Sequence, residues 1–144
     1  MTRRMVMAVL ALVGLFVSSY STMYHYGVIG ELTCNVVHGC EVVQNSRWSM
    51  LVGFPVALWG AAYYTSLLVL ILASLQARWS ASRPLAAVVA VLGVWGALFS
   101  GWLTYVEVFR IRDLCMWCLI SAASAIGLCV LGLLDWKAGR SVQA

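Results

Sequence analysis

Four long apolar runs constrain this chain more than any other feature. They lie at about residues 5–24, 55–75, 85–109 and 115–134. Each is close to the ~20 residues that a helix needs to cross the hydrocarbon of a bilayer. The last is the clearest, since Leu119 to Leu134 carries no charged side chain. With 63% hydrophobic and 10% charged residues, and a mean hydropathy of +0.94, the chain falls well short of the roughly 25% charge of soluble domains. The expected fold is all-α, a four-transmembrane-helix bundle forming a single integral membrane domain over residues 1–144. A basic start, Arg3 and Arg4, before an apolar stretch is also how a signal peptide begins. Here the apolar core is long and only a weak small-x-small site, Ser19-Tyr20-Ser21, follows it, so the first run reads as a span.

The placement of basic residues predicts orientation. Arg3, Arg4, Arg78, Arg83, Lys137 and Arg140 fall on one side of the four spans, and Arg47, Arg110 and Arg112 on the other. Six against three puts both termini in the cytoplasm by the positive-inside rule, with segment 27–54 and the link 110–114 facing outward. The same scatter of the nine basic residues gives no patch for nucleic acid, so the +4 net charge reads as orienting charge. Trp48, Trp79, Trp117 and Trp136 lie near the predicted interfaces, where indole rings anchor helices. Pro55 suits the first position of the second helix.

Four of the five cysteines fall on the outer side: Cys34, Cys40, Cys115 and Cys118. That is the oxidising face, where disulfide chemistry operates. Cys115-Met116-Trp117-Cys118 opens the fourth span, and two thiols three residues apart on a helix lie about 5 Å apart along its axis, within disulfide reach. Asp113 is placed to cap this helix, and its unpaired first-turn amides favour a thiolate at Cys115. Cys118, one turn deeper, faces the bundle. In the outer loop, Cys34 and Cys40 are separated by five residues, with Gly39 allowing a bend that closes a small ring. A loop this long in a compact domain is usually functional. One reading of the loop pair is a structural staple; the other is exchange with the helix pair, by attack of a thiolate on a disulfide sulfur. Zinc is a rival reading for the four thiols, with His38 as a further ligand, but the loop pair lacks the short spacing of structural zinc sites, and no metal is expected. His38 between the loop thiols favours a thiolate when protonated, or is a solvated loop residue. Cys129 is about 16 Å beyond Cys118 along the helix and reads as a small apolar residue.

In its order of motifs the chain resembles the vitamin K epoxide reductase family, specifically its bacterial-type members without a fused thioredoxin domain. The resemblance covers most of the chain: four spans, a thiol pair after the first, and Cys-x-x-Cys opening the fourth. Asn45-Ser46-Arg47-Trp48 looks like the family's loop serine region. Gly53-Phe54-Pro55-Val56-Ala57-Leu58-Trp59-Gly60 looks like the start of its second helix, and Tyr105-Val106-Glu107-Val108-Phe109 with the Cys-x-x-Cys resembles its third-to-fourth helix junction. DsbB-type oxidases also join two dithiols to four helices, but with the two cysteine patterns in the opposite order, which makes them functional analogues.

The resemblance implies a bundle surrounding a quinone, of ubiquinone or menaquinone (vitamin K) type, with the outer loop as a lid. It implies a bacterial inner membrane protein, expected as a monomer. Electrons would pass from a separate DsbA-like, thioredoxin-fold protein to Cys34, from Cys40 to Cys115, and from Cys118 to the quinone, generating disulfides in the partner. Two positions depart from animal members: Ala122 stands where they have a tyrosine, and Gly53 to Gly60 offers no side-chain amide. Quinone reduction is therefore expected ahead of vitamin K epoxide chemistry; the alternatives are that epoxide activity, or a non-catalytic, disulfide-stapled membrane subunit. Ser46, Trp59, Tyr63, Tyr105, Glu107 and Ser121 are expected around the quinone, with Tyr64 and Thr104 as further hydroxyls. Glu107 has two readings. An acidic residue within a span is a functional candidate, orienting the loop or helping to protonate reduced quinone. It also stands three residues before Arg110, a spacing that suits an ion pair.

Overall fold

The computed structural model describes residues 2–35 and 39–141. Four helices among the described residues are long and apolar enough to cross a membrane: α1 (Thr2–His25), α3 (Val56–Leu75), α4 (Arg83–Val106, continued by a π-turn, Glu107–Ile111) and α5 (Met116–Ser141). Hydrocarbon offers no partner to a backbone amide or carbonyl, so an apolar run this long satisfies its own groups by coiling. The chain is an all-α four-helix bundle and a multi-pass membrane protein, as the hydropathy predicts.

Large apolar side chains point both ways. Met7, Tyr64, Leu67, Ile71 and Leu128 fill the core between the helices, while Phe16, Val69, Val91 and Leu98 lie exposed around the outside. Soluble proteins would have to bury that outer layer; here lipid solvates it. α5 packs against both α1 and α4, and α3 packs against α1, whereas α3 and α4 touch only sparsely. One close approach sets the α1–α3 spacing: a Cβ at Gly14 would collide with the ring of Tyr64. The absence of a side chain lets the phenol lie across α1 and reach α5, where its hydroxyl donates to the Ser121 carbonyl at 2.7 Å.

At the end of the bundle where α1 begins, Arg4 clamps three helices. Its Nε pairs with the Asp135 carboxylate at 3.1 Å, and its Nη1 donates to the Ser74 carbonyl at 2.6 Å, one of the terminal carbonyls that α3 leaves without an internal partner. Arg3 adds a bond to the Leu134 carbonyl at 3.1 Å.

The opposite end carries the segment between α1 and α3. It contains a one-turn helix, α2 (Cys40–Gln44), a 3₁₀ turn (Arg47–Ser49) and a small hairpin in which β1 (Met50–Leu51) pairs antiparallel with β2 (Phe54–Pro55). Val52 and Gly53 make the hairpin turn with φ of 54° and 84°, the left-handed pair that a two-residue turn requires. Pro55 is the residue ahead of α3, not its first. At the other junction, the π-turn stops at Arg112, whose φ of 61° ends the helix, and α5 starts after three intervening residues, at Met116.

Candidate active site

The thiols are gathered by two helix starts that meet face to face. Cys40 opens α2. Cys115 stands immediately before α5, its carbonyl accepting the first helical bond from the Leu119 amide at 3.0 Å. Cys115 thus takes the capping position that the sequence assigned to Asp113, and sits just outside the first turn where it was expected. Gly39 makes the meeting possible. Its φ of −82° suits any residue, so the bend does not call for glycine. Contact does: a Cβ there would come within 2.7 Å of the Leu114 carbonyl oxygen and 2.8 Å of the Asp113 Cβ.

Cys40 and Cys115 are both 0% exposed and share one apolar cluster with Leu32 and Val43, against which Cys34 and Cys118 pack. Cys34 and Cys40 form a disulfide, with Cα atoms 6.5 Å apart, while Cys115 and Cys118 are free thiols. Three residues hold the loop over the helix pair. Trp117, inside the Cys-x-x-Cys, donates from Nε1 to the Thr33 carbonyl at 3.0 Å and packs its ring 4.8 Å from that of Tyr20. Gln44, on the last turn of α2, directs Nε2 to the Cys118 sulfur at 3.8 Å. Asn45 ties the same turn to the Tyr24 hydroxyl at 3.3 Å.

A cavity of about 180 Å³ opens beside this cluster. Cys118 lines it; Cys34, Cys40 and Cys115 do not. The two thiols of one motif therefore have different surroundings. Cys115 faces the loop pair, and its thiol is held below the ordinary thiol range, chiefly by the hydrogen bond from the Cys118 thiol, against the opposing effect of burial. Cys118 faces the cavity.

Of the residues expected around a quinone, Ser46, Trp59, Tyr63, Glu107 and Ser121 all line this cavity, as do Tyr64 and Thr104. Several of their polar hydrogens are already committed: Ser46 Oγ to the Val43 carbonyl at 2.7 Å, Trp59 Nε1 to the Leu51 carbonyl at 3.1 Å and Tyr63 to the Leu92 carbonyl at 2.9 Å. Ser121 Oγ lies 3.0 Å from the Tyr64 hydroxyl. Tyr105 is not brought to the site. It is 55% exposed and packs on Phe109, because two residues along a helix turn a side chain by about 200° from Glu107. Glu107 is 4% exposed and accepts from the Cys115 amide at 3.4 Å through Oε2, on the cavity wall that it shares with Cys118. The structure adds residues that the sequence left out, above all Gln44, and gives Trp117 a tethering role in place of simple interfacial anchoring.

His38 lies outside the described residues. Among those described, no group of three or more His, Cys, Asp and Glu side chains gathers as a metal site would. Cys129 is a free, half-buried residue of α5.

Two thiol pairs in one dry cluster, with one sulfur at the wall of an intramembrane cavity, define a membrane-embedded dithiol oxidoreductase. Comparison with known families agrees: residues 5–133 match the model of the vitamin K epoxide reductase family, and the chain belongs to that family.

Proposed function

We propose that the protein is a quinone-dependent thiol oxidase that generates disulfides in an exported protein of thioredoxin fold. Reduced partner delivers electrons at Cys34, the loop pair passes them from Cys40 to Cys115, and Cys118 delivers them to a quinone held in the cavity. The observation that carries this reading is the division of labour within Cys115-Met116-Trp117-Cys118: Cys115 is wholly buried in the cluster with Cys40, whereas Cys118 packs on that cluster and also lines the cavity. Each exchange between thiol pairs then runs through a mixed disulfide, formed by thiolate attack on a neighbouring disulfide and resolved by the second thiol, and the last transfer would be a two-electron reduction of the quinone as the Cys115–Cys118 bond forms.

The cavity residues suit a quinone ring. Its exposed walls are mainly apolar and aromatic, with Trp59, Trp95 and Phe99 on α3 and α4, and its polar groups include Gln44, Ser46, Tyr64, Glu107 and Ser121. That mix is what a small-molecule site of this kind needs. The sparse packing of α3 on α4 supports access from the lipid. The bound quinone supplies the two-electron sink; the chain orients it, keeps water away and holds Cys118 against it. The inner membrane of a bacterium, both termini cytoplasmic and the loop extracytoplasmic, is the setting that the basic residues and the outward thiols favour. Ubiquinone and menaquinone both fit the chemistry described.

Purified protein with a reduced DsbA-like partner and a short-chain quinone tests the reading. Wild-type protein is expected to oxidise the partner while the quinone is reduced. Cys118→Ala should lose this turnover altogether, and Cys129→Ala should retain it within roughly twofold. Normal turnover by the Cys118 variant would remove the relay.

A further inference from the structure

Glu107 is the only buried acidic residue among the five in the chain. A carboxylate out of water is costly unless something compensates it. The obvious compensation is absent: among the described residues the one ion pair joins Arg4 and Asp135 at the far end of the bundle, and Arg110 is exposed. Instead, Glu107 accepts from the Cys115 amide at 3.4 Å and lines the same cavity as Cys118. It is also the first residue of the π-turn that closes α4, a local widening of the helix often found at functional positions.

We infer that Glu107 is a catalytic residue that takes the proton of the Cys118 thiol and hands it to the quinone, an assignment that deepens the proposed function and rests on it. The balance is as follows. The dithiol of Cys115 and Cys118 loses two electrons and two protons as their S–S bond forms, and a quinone gaining two of each becomes the hydroquinone. Glu107 carries the Cys118 proton to the nearer quinone oxygen. The Cys115 proton leaves to the aqueous side, and the farther oxygen takes one from water.

No other group at the cavity is as well placed. From α3, Tyr63 and Tyr64 titrate, but both hydroxyls donate to backbone carbonyls, of Leu92 and Ser121. α2 offers the non-titrating amide of Gln44, and α1 offers Ser18 and Ser21. α5 supplies the thiols themselves.

The test compares wild-type, Glu107→Gln, Glu107→Asp and Cys118→Ala proteins, full length and in lipid, reducing a short-chain quinone across a range of pH. In parallel, transfer between the loop pair and the helix pair is followed without quinone. Glutamine keeps an acceptor for the Cys115 amide but cannot carry a proton. Glu107→Gln is expected to reduce quinone about 100-fold more slowly at neutral pH, the scale of a lost acid–base group. The deficit should shrink as pH rises and the thiol ionises unaided, and the internal transfer should stay within about threefold of wild type. Glu107→Asp should recover part of the rate. A Glu107→Gln protein with wild-type rate and pH profile overturns the inference alone, and so does an equal loss of internal transfer and quinone reduction, which marks a structural role. Wild-type protein no more active than Cys118→Ala overturns the parent reading as well.

Discussion

The two ends of the bundle are built from the same helices by opposite means. At the end where α1 begins, one arginine fastens α1, α3 and α5 with an ion pair and a backbone bond. At the end that carries the α1–α3 loop, no ion pair forms among the described residues. Contacts there are dry and close: glycine against backbone, sulfur against amide, a tryptophan bond across to the loop. A clamp of charges keeps helices in place but leaves little to exchange. A cluster of thiols with a buried carboxylate can change partners without moving any helix far. The comparison suggests that stability and chemistry have been separated along the membrane normal.

Three perturbations sharpen this contrast, beginning with the largest. Gly39→Ala forces the loop away from Leu114, and a misplacement of this order at reacting atoms costs about tenfold or more. Transfer from the loop pair to the helix pair should slow by that factor in quench-and-alkylate measurements, with quinone affinity unchanged. An unaltered transfer rate would mean that the contact at Gly39 does not position the thiols.

Next comes a pH effect. In Cys118→Ala protein the remaining Cys115 thiol attacks the Cys34–Cys40 disulfide and is trapped on Cys40. The hydrogen bond that holds Cys115 low is gone in this variant, so its folded pKa rises and thiolate becomes scarce at neutral pH. Trapping should therefore need more alkaline solution than the wild-type exchange does. Identical pH profiles would show that Cys118 does not tune its neighbour. Smallest of all, Arg4→Ala at the end away from the thiols should lower unfolding stability by about 1 kcal/mol, in line with a partly exposed pair, while leaving turnover at low temperature unchanged. Loss of turnover without loss of stability would break the separation of the two ends.

Much of this was legible in the sequence, for physical reasons that differ by residue. The spans are written in hydropathy, because lipid imposes one solution on a long apolar run. The Cys-x-x-Cys is local, so its geometry follows from helical rise alone. Gln44 could not be seen: it reaches Cys118 only because α2 begins at Cys40 and turns once, bringing a residue four positions on to the same face. Glu107 was visible as a charge in a span, but its choice between Arg110 and the thiols depends on how the α4–α5 link folds back. Tyr105 was misplaced by proximity in sequence, where the helical angle from Glu107 already turned it toward lipid. Gly39 was read as a bend and serves as a contact.

The direction of flow is the central claim, and the order in which disulfides form tests it most directly. Anaerobic protein with all four outer thiols reduced would be mixed with quinone, quenched at intervals and mapped by mass spectrometry. The account predicts that Cys115–Cys118 appears first, at the rate at which quinone is consumed, and that Cys34–Cys40 follows. A Cys34–Cys40 disulfide that forms first, or quinone reduction with no Cys115–Cys118 disulfide at any time, would contradict it.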